Sequence, residues 1–151
     1  MALSLRDLRF DLQTERLSMA LTTKTELRKE YLYVLIEGGF EYLSALQTTD
    51  IILETCAKHE VTKVLIDFRR VIGQITDIER FHYAEVSTDK YHKQLEAGLV
   101  KKCRFVWVGK PPQLDPKKFG ESVALNRGLI VRVTPDMEHA FVFLGVQPDL
   151  E

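Results

Sequence analysis

YLYVLIEGGFEYLSALQTTDIILETCAKHEVTKVLIDF (31–68) decides the fold. Its opening run, YLYVLIEGG (31–39), is nearly all aromatic or branched apolar residues, as in a strand buried on both faces, and Gly38 and Gly39 give it a tight exit. Over 42–59 the apolar residues Leu43, Leu46, Leu53, Cys56 and Ala57 recur at helical spacing, with Gln47, Asp50, Glu54 and Lys58 opposite them. That pattern predicts an amphipathic helix. VTKVLIDF (61–68) then reads as a second short buried strand. Strand, helix, strand in this order is the signature of a right-handed parallel crossover.

Toward the C-terminus the same unit repeats. Thr76 and Glu79 have capping-box spacing, so a second helix starts near Thr76, runs to about Ala97 and stops at Gly98. CRFVWVG (103–109) is a further parallel strand. Asp115 followed by Pro116 predicts the cap and first residue of a third helix carrying Phe119, Val123 and Ala124 inward, and Gly128 ends it. In NRG (126–128), Arg127 is expected to steady the last carbonyls of that helix. LIVRV (129–133) is the last strand, and Thr134 with Pro135 repeats the cap-then-proline device before a final helix bearing Met137, Ala140, Phe141 and Leu144. Toward the N-terminus, 8–22 alternates with Leu8, Phe10 and Leu12, then Leu17, Met19 and Leu21, which predicts at least one edge strand. The expectation is an α/β fold with a mainly parallel central sheet of about five strands and about four helices.

The 151 residues suit one domain, with residues 1–30 an N-terminal segment of it, 31–145 its body and 146–151 a tail. Lys plus Arg number 21 against 22 for Asp plus Glu, so no global field favours nucleic acid or an anionic membrane. MALSLRDLRFDLQ (1–13) mixes charges with short apolar runs, so neither a signal-peptide core nor a span is expected, and a cytoplasmic location follows. Cys56 and Cys103 form no Cys-x-x-Cys motif and read as reduced core residues.

Several phrases carry a family likeness: LIEGGF (35–40), KVLIDFRRVIG (63–73), FGESVALNRGLIVRV (119–133) and PDMEHAFVFL (135–144). In order and content they resemble the SpoIIAA-like proteins, the group that includes STAS domains and shares its fold with the CRAL-TRIO lipid-transfer domains. The match is to a bacterial STAS-like branch of largely unassigned function, and it covers residues 31–145, about three-quarters of the chain. The resemblance implies the SpoIIAA-like fold. In signalling members the loop after the third strand bears an Asp-Ser pair whose serine a partner kinase phosphorylates. The matching stretch here, GQITDIER (73–80), has Thr76 then Asp77 and no serine, so Thr76 is the candidate phosphosite.

No catalytic constellation is legible. His59, His82, His92 and His139 form no metal-binding spacing, and Ser44, Ser87 and Ser122 lie in no Gly-x-Ser-x-Gly elbow. No enzyme activity, cofactor or metal is therefore expected. Asp67, Arg69 and Arg70 follow a parallel strand on the side where open sheets place ligands, and Lys110 follows the next strand, so the four are candidates for an anionic ligand. The plainer alternative is that Asp67 caps a turn and pairs with one arginine. Phe81, Tyr83, Tyr91 and Leu95 spread widely around the second helix, so part of that surface is a candidate lipid or partner face, with Lys90, Lys93, Lys101 and Lys102 nearby. Packing of this helix against another element or a homodimer partner is the competing reading.

The leading expectation is a non-enzymatic STAS-like binding or regulatory module for a small hydrophobic or anionic ligand, a protein partner or a membrane surface. The alternative is an anti-sigma-antagonist-type partner switch regulated at Thr76. Nucleic acid is not an expected partner.

Overall fold

A computed structural model of the chain describes residues 20–148. In order, the elements are β1 (Thr22–Leu27), β2 (Leu32–Gly39), α1 (Tyr42–His59), β3 (Lys63–Ile72), α2 (Asp77–Glu96), β4 (Arg104–Val108), α3 (Phe119–Asn126), β5 (Ile130–Thr134) and α4 (Met137–Leu144). The strands lie in sequence order across one sheet. β1 runs antiparallel to β2, and β2 to β5 are mutually parallel, so the sheet is mixed.

This order dictates where the helices go. Each parallel step moves one strand along the sheet through a right-handed crossover, so α1, α2 and α3 all fall on one face. Val64 and Ile66 of β3 face them, and with Leu53 and Cys56 of α1, Tyr91 of α2 and Phe105 of β4 they form one core. α4 follows the last strand and has no crossover to make. It covers the opposite face, where Ala140 and Leu144 pack on Leu65, Val106 and Val108. Cations from the sheet meet the orphaned carbonyls at its end: Arg104 Nη1 donates to Phe143 O (2.8 Å) and Lys63 Nζ to Gly145 O (3.4 Å).

Two glycines permit close approaches. Gly38 has φ +113°, and a Cβ there would lie 2.4 Å from the Ala20 carbonyl oxygen. At Gly109 a Cβ would meet the Phe68 ring at 2.3 Å, so the missing side chain is what lets that ring lie against β4.

Several boundaries differ from the sequence expectation. The alternation over residues 8–19 lies outside the described residues, and the observed edge strand is the polar TTKTEL of β1. β3 continues to Ile72, past the expected stop at Phe68, because pairing with β2 runs on through Ile72 after an irregularity at Leu35 to Glu37. Asp115 caps a turn by accepting from the Lys117 and Phe119 N–H groups, and α3 starts four residues later than Asp115. α4 is capped by Asp136, whose carboxylate accepts from the N–H groups of Glu138 and His139, and Thr134 instead accepts from the Asp136 N–H. Arg127 caps α3 through its backbone N–H, which donates to the carbonyls of Val123 (3.2 Å) and Ala124 (3.1 Å), while its side chain pairs with Glu85 of α2 at 2.7 Å. On α1 Leu53 and Cys56 face inward as expected, but Leu43 is 65% exposed, and Thr48 and Thr49, outside the expected stripe, are buried.

Both cysteines are free and buried. The hydrogen bond with Cys103, together with burial, pushes the Cys56 thiol up, which suits an inert core residue.

A candidate site beneath helix α2

α2 begins with the expected capping box. Thr76 Oγ1 accepts from the Glu79 N–H at 3.2 Å, and Glu79 Oε1 accepts from the Thr76 N–H at 2.9 Å. Thr76 itself is exposed. From there the helix turns Ala84, Thr88, Tyr91 and Leu95 inward, and the first two are small. Tyr91 sets the spacing at the C-terminal end, standing edge-on to Phe105 at 5.4 Å and accepting from the Cys103 N–H at 2.8 Å. Along Ala84, Ser87 and Thr88 nothing large fills the gap to the sheet. Ala124 and Gly120 of α3 are equally small on the adjoining wall.

The result is a cavity of about 190 Å³, open to solvent on one side, between α2, α3, α1 and the sheet. Its walls are almost wholly apolar: Leu21, Ile36, Phe40, Phe68, Val71 and Trp107 among them. A smaller cavity of about 50 Å³ adjoins it, and Tyr83, Ser87, Trp107 and Leu129 line both. Tyr83 stands edge-on to Trp107 at 5.8 Å. Its hydroxyl accepts from Thr49 Oγ1 (3.0 Å), and Thr49 Oγ1 also contacts Ser87 Oγ (3.0 Å). Burial pushes the Tyr83 phenol up, so it stays protonated.

Charged residues gather at the rim, where most are already committed. Arg80 donates to the carbonyls of Ile75 (3.0 Å) and Gln113 (2.9 Å) and pairs with Asp77 (3.6 Å), tying the loop before α2 to the loop after β4. Gln113 Nε2 adds a bond to Gly73 O at 2.8 Å. Glu121 Oε2 accepts from the Val133 N–H at 3.0 Å. Lys118 has no ion pair among the described residues.

The anionic candidates lie elsewhere. Asp67 falls inside β3, on the face opposite α2, with its side chain 3% exposed. It accepts from the Tyr33 hydroxyl at 2.6 Å and from Arg69 Nε and Nη2 at 2.9 and 2.8 Å. Burial raises the Asp67 carboxyl, but the hydrogen bonds from Arg69 and Tyr33 outweigh it and hold the group below its usual range. The Tyr33 phenol is pushed up to about 12, by burial and by the carboxylate it donates to. Arg70 meets Glu37 at 3.4 Å, and Lys110 is exposed with no ion pair among the described residues. The four residues therefore do not converge: Asp67 and Arg69 satisfy each other from within β3, and Arg70 pairs with Glu37.

The proposed lipid face also changes character. Tyr91 is buried, Leu95 packs on the core and Tyr83 lines the cavity; Phe81 is half-buried, 6.2 Å from the Phe119 ring. Tyr83, Tyr91 and Leu95 thus point under the helix and not away from it. Lys90, Lys93 and Lys101 are paired with Asp50, Asp89 and Glu60. Sequence reading missed Ala84, Ser87, Thr88, Thr48 and Thr49 as the inner surface. The spacing of Ala84, Thr88, Tyr91 and Leu95 was the available signal.

Neither cavity is lined by a histidine, Asp67 or Glu85 among the described residues. Among those residues no group of three or more His, Cys, Asp or Glu is placed to hold a metal ion, and no helix is long and apolar enough to cross a membrane.

The sequence matches no family model and no curated protein. Solved structures do match. An anti-sigma factor antagonist from Mycobacterium paratuberculosis aligns with a TM-score of 0.54 at 14% identity, over 83% of this chain and 94% of that one. The anti-sigma factor antagonist SpoIIAA in its unphosphorylated form aligns with a TM-score of 0.53 at 12% identity, over 84% of this chain and 100% of that one. An uncharacterised Shewanella loihica protein of the DUF3478 family, described as having a SpoIIAA-like fold, scores 0.48 at 18% identity, over 83% of this chain and 94% of that one. At such identities the likeness to the two antagonists shows the fold alone, and that fold is the SpoIIAA-like one.

Proposed function

We propose that this protein is a non-enzymatic binding module whose cavity beneath α2 takes a small hydrophobic ligand, with residues 31–145 as its body and the N-terminal segment part of the same domain. One observation carries this reading: the helix is held off the sheet by Tyr91 at one end while Ala84, Ser87 and Thr88 leave an apolar, solvent-connected space of about 190 Å³. Interiors are ordinarily close-packed, and an open apolar space this size costs stability unless something occupies it. The anionic version has less behind it, because Arg69 and Arg70 both have carboxylate partners. Mass spectrometry of an organic extract of the purified protein, beside liposome co-sedimentation, tests the reading. A stoichiometric apolar small molecule supports it; clean negatives in both remove it.

A second reading has its own support. Thr76 is exposed at the N-terminus of a 20-residue helix, where a phosphate would be favoured by the helix dipole. The fold neighbours are anti-sigma factor antagonists, which makes partner switching through Thr76 the natural form of regulation to test. Phosphopeptide mapping from cells should find Thr76 modified. Absence of the phosphate, with Thr76→Ala keeping its protein partner, would reject it.

A further inference from the structure

The outer edge of β1 is complementary to itself. The Arg28 N–H donates to the Tyr31 carbonyl at 2.9 Å across the turn into β2, so Arg28 directs its backbone groups toward β2. Alternation along an antiparallel strand then directs those of Thr22, Lys24 and Glu26 the same way, and those of Thr23, Thr25 and Leu27 outward. Among the described residues β1 has β2 alone beside it, and every residue of β1 except Thr23 is exposed. Such an edge accepts another strand. The side chains alternate as well: Thr23 Oγ1 meets Thr48 Oγ1 of α1 at 2.8 Å, so Thr23, Thr25 and Leu27 lie on the helix face of the sheet and Lys24 and Glu26 on the other.

We propose that β1 pairs antiparallel with β1 of a second copy of this chain, joining the two sheets into one. The two-fold registers that pair most of the strand set Lys24, Thr25 or Glu26 opposite itself. The first opposes lysine to lysine and the last glutamate to glutamate, which like charge disfavours. Centred on Thr25, that residue exchanges both backbone bonds with its own counterpart, Thr23 does so with Leu27 of the second copy, and Lys24 stands opposite Glu26 of the second copy on both sides of the axis. A lysine in an edge strand ordinarily wards off pairing, but the glutamate two residues on turns it into a mark of register. Lys24 and Glu26 have side chains 74% and 54% exposed, and within the chain they pair with Glu37 (3.6 Å) and Arg28 (3.2 Å). Charges across the seam therefore alternate in sign: Glu37 and Lys24, then Glu26 and Arg28 of the second copy. α1 rides over β1 and β2, so the pairing brings the two α1 helices to about 10 Å, an ordinary packing distance. The stripe they turn toward each other, Ser44, Thr48, Ile51 and Thr55, is short apart from Ile51, which is 38% exposed.

An edge pairing backed by one pair of helices buries less than a standard interface, so a dissociation constant on the order of 10–100 µM is expected. Sedimentation equilibrium of the full chain at neutral pH should show monomer and dimer exchanging over that range. Lys24→Glu and Glu26→Lys each set like charges opposite one another on both sides of the axis, and each should weaken the dimer by about tenfold or more. Mixed in equal amounts, the two variants should recover the wild-type affinity, because each then offers the charge that the other lacks. Thr25→Pro removes an N–H that the chain's own sheet leaves unused, so it should abolish the dimer while the circular dichroism spectrum stays that of the wild type. If Thr25→Pro fails to fold, the mixing experiment decides. A wild-type chain that stays monomeric at about 1 mM overturns the proposal and leaves the edge to a strand of another protein. A dimer that survives Thr25→Pro or both charge reversals overturns it as well, by placing the contact between copies on another surface. Single variants that lose the dimer and do not recover it on mixing overturn the register, and the proposal with it.

Discussion

Replacing Ala84 by leucine puts three more carbons into the space beneath α2 and should change stability and binding in opposite directions. Ala84 is 8% exposed and lines the cavity, so the added atoms enter volume that is already there. At roughly 24 cal/mol per Å³, an unfilled volume of about 190 Å³ corresponds to at most about 4–5 kcal/mol of forgone packing, and less here because the mouth is open to water. Each newly buried carbon contributes about 0.8 kcal/mol before strain, and cavity-filling changes commonly return about 0.5–2 kcal/mol net. For a chain of this size that raises Tm by about 1–8 °C. Thermal unfolding followed by circular dichroism measures the gain, and titration of octane against the fluorescence of Trp107, which lines the cavity, measures the loss of binding. A destabilised Ala84→Leu protein that still binds octane would refute the reasoning, since it would mean that the space under α2 is already filled.

Asp67→Ala strands the Tyr33 hydroxyl and the Arg69 guanidinium; because Arg69 is 46% exposed and screened, the cost should be about 2 kcal/mol, below the roughly 3–5 kcal/mol of a fully buried pair. The folded-state pKa of Asp67 lies below its ordinary 3.8, so its contribution is complete above that value and disappears as pH falls through the folded pKa. Urea unfolding of wild type and variant should therefore differ by a constant amount at neutral pH and converge in acid; a gap that widens in acid contradicts the assignment. Gly109→Ala drives a methyl group to 2.3 Å from the Phe68 ring and should lower stability by about 1–3 kcal/mol, read as a shift in urea midpoint; an unchanged midpoint would mean that the ring moves freely. Thr76→Ala removes the cap of α2 at a cost of about 1 kcal/mol, and Thr76→Asn, which caps but carries no hydroxyl to phosphorylate, should restore most of it, which separates capping from any effect of phosphorylation on partner binding.

Much of the fold was legible because its strongest local signals agreed with its tertiary contacts. The helix over 42–59 and the capping box at Thr76 appear as read, since each is fixed by residues within a few positions of one another. Strand ends and helix starts were less legible where tertiary pairing overrode the local pattern. Arg69 and Arg70 look like a loop after an apolar run, yet pairing with β2 keeps them in β3, which places Asp67 mid-strand and dissolves the expected ligand edge. Pro116 offered a helix start that the chain does not use, because Asp115 closes a turn first. The cavity was hidden for a different reason: empty space is made by small residues, and Ala84, Ser87 and Thr88 carry no signature of function on their own. Only the crossing of α1, α2 and α3 over one sheet face turns them into a wall. The burial of Thr48 and Thr49 carries no sequence signal either, because hydroxyls satisfied inside a protein look the same in sequence as hydroxyls facing water.

The most direct test of the site is crystallographic. Crystals of the full chain soaked in bromooctane should give a bromine anomalous peak in the space bounded by Ala84, Tyr83 and Trp107, with α2 in place over it. Well-ordered side chains closing that space, with no bromine between α2 and the sheet, would contradict the account.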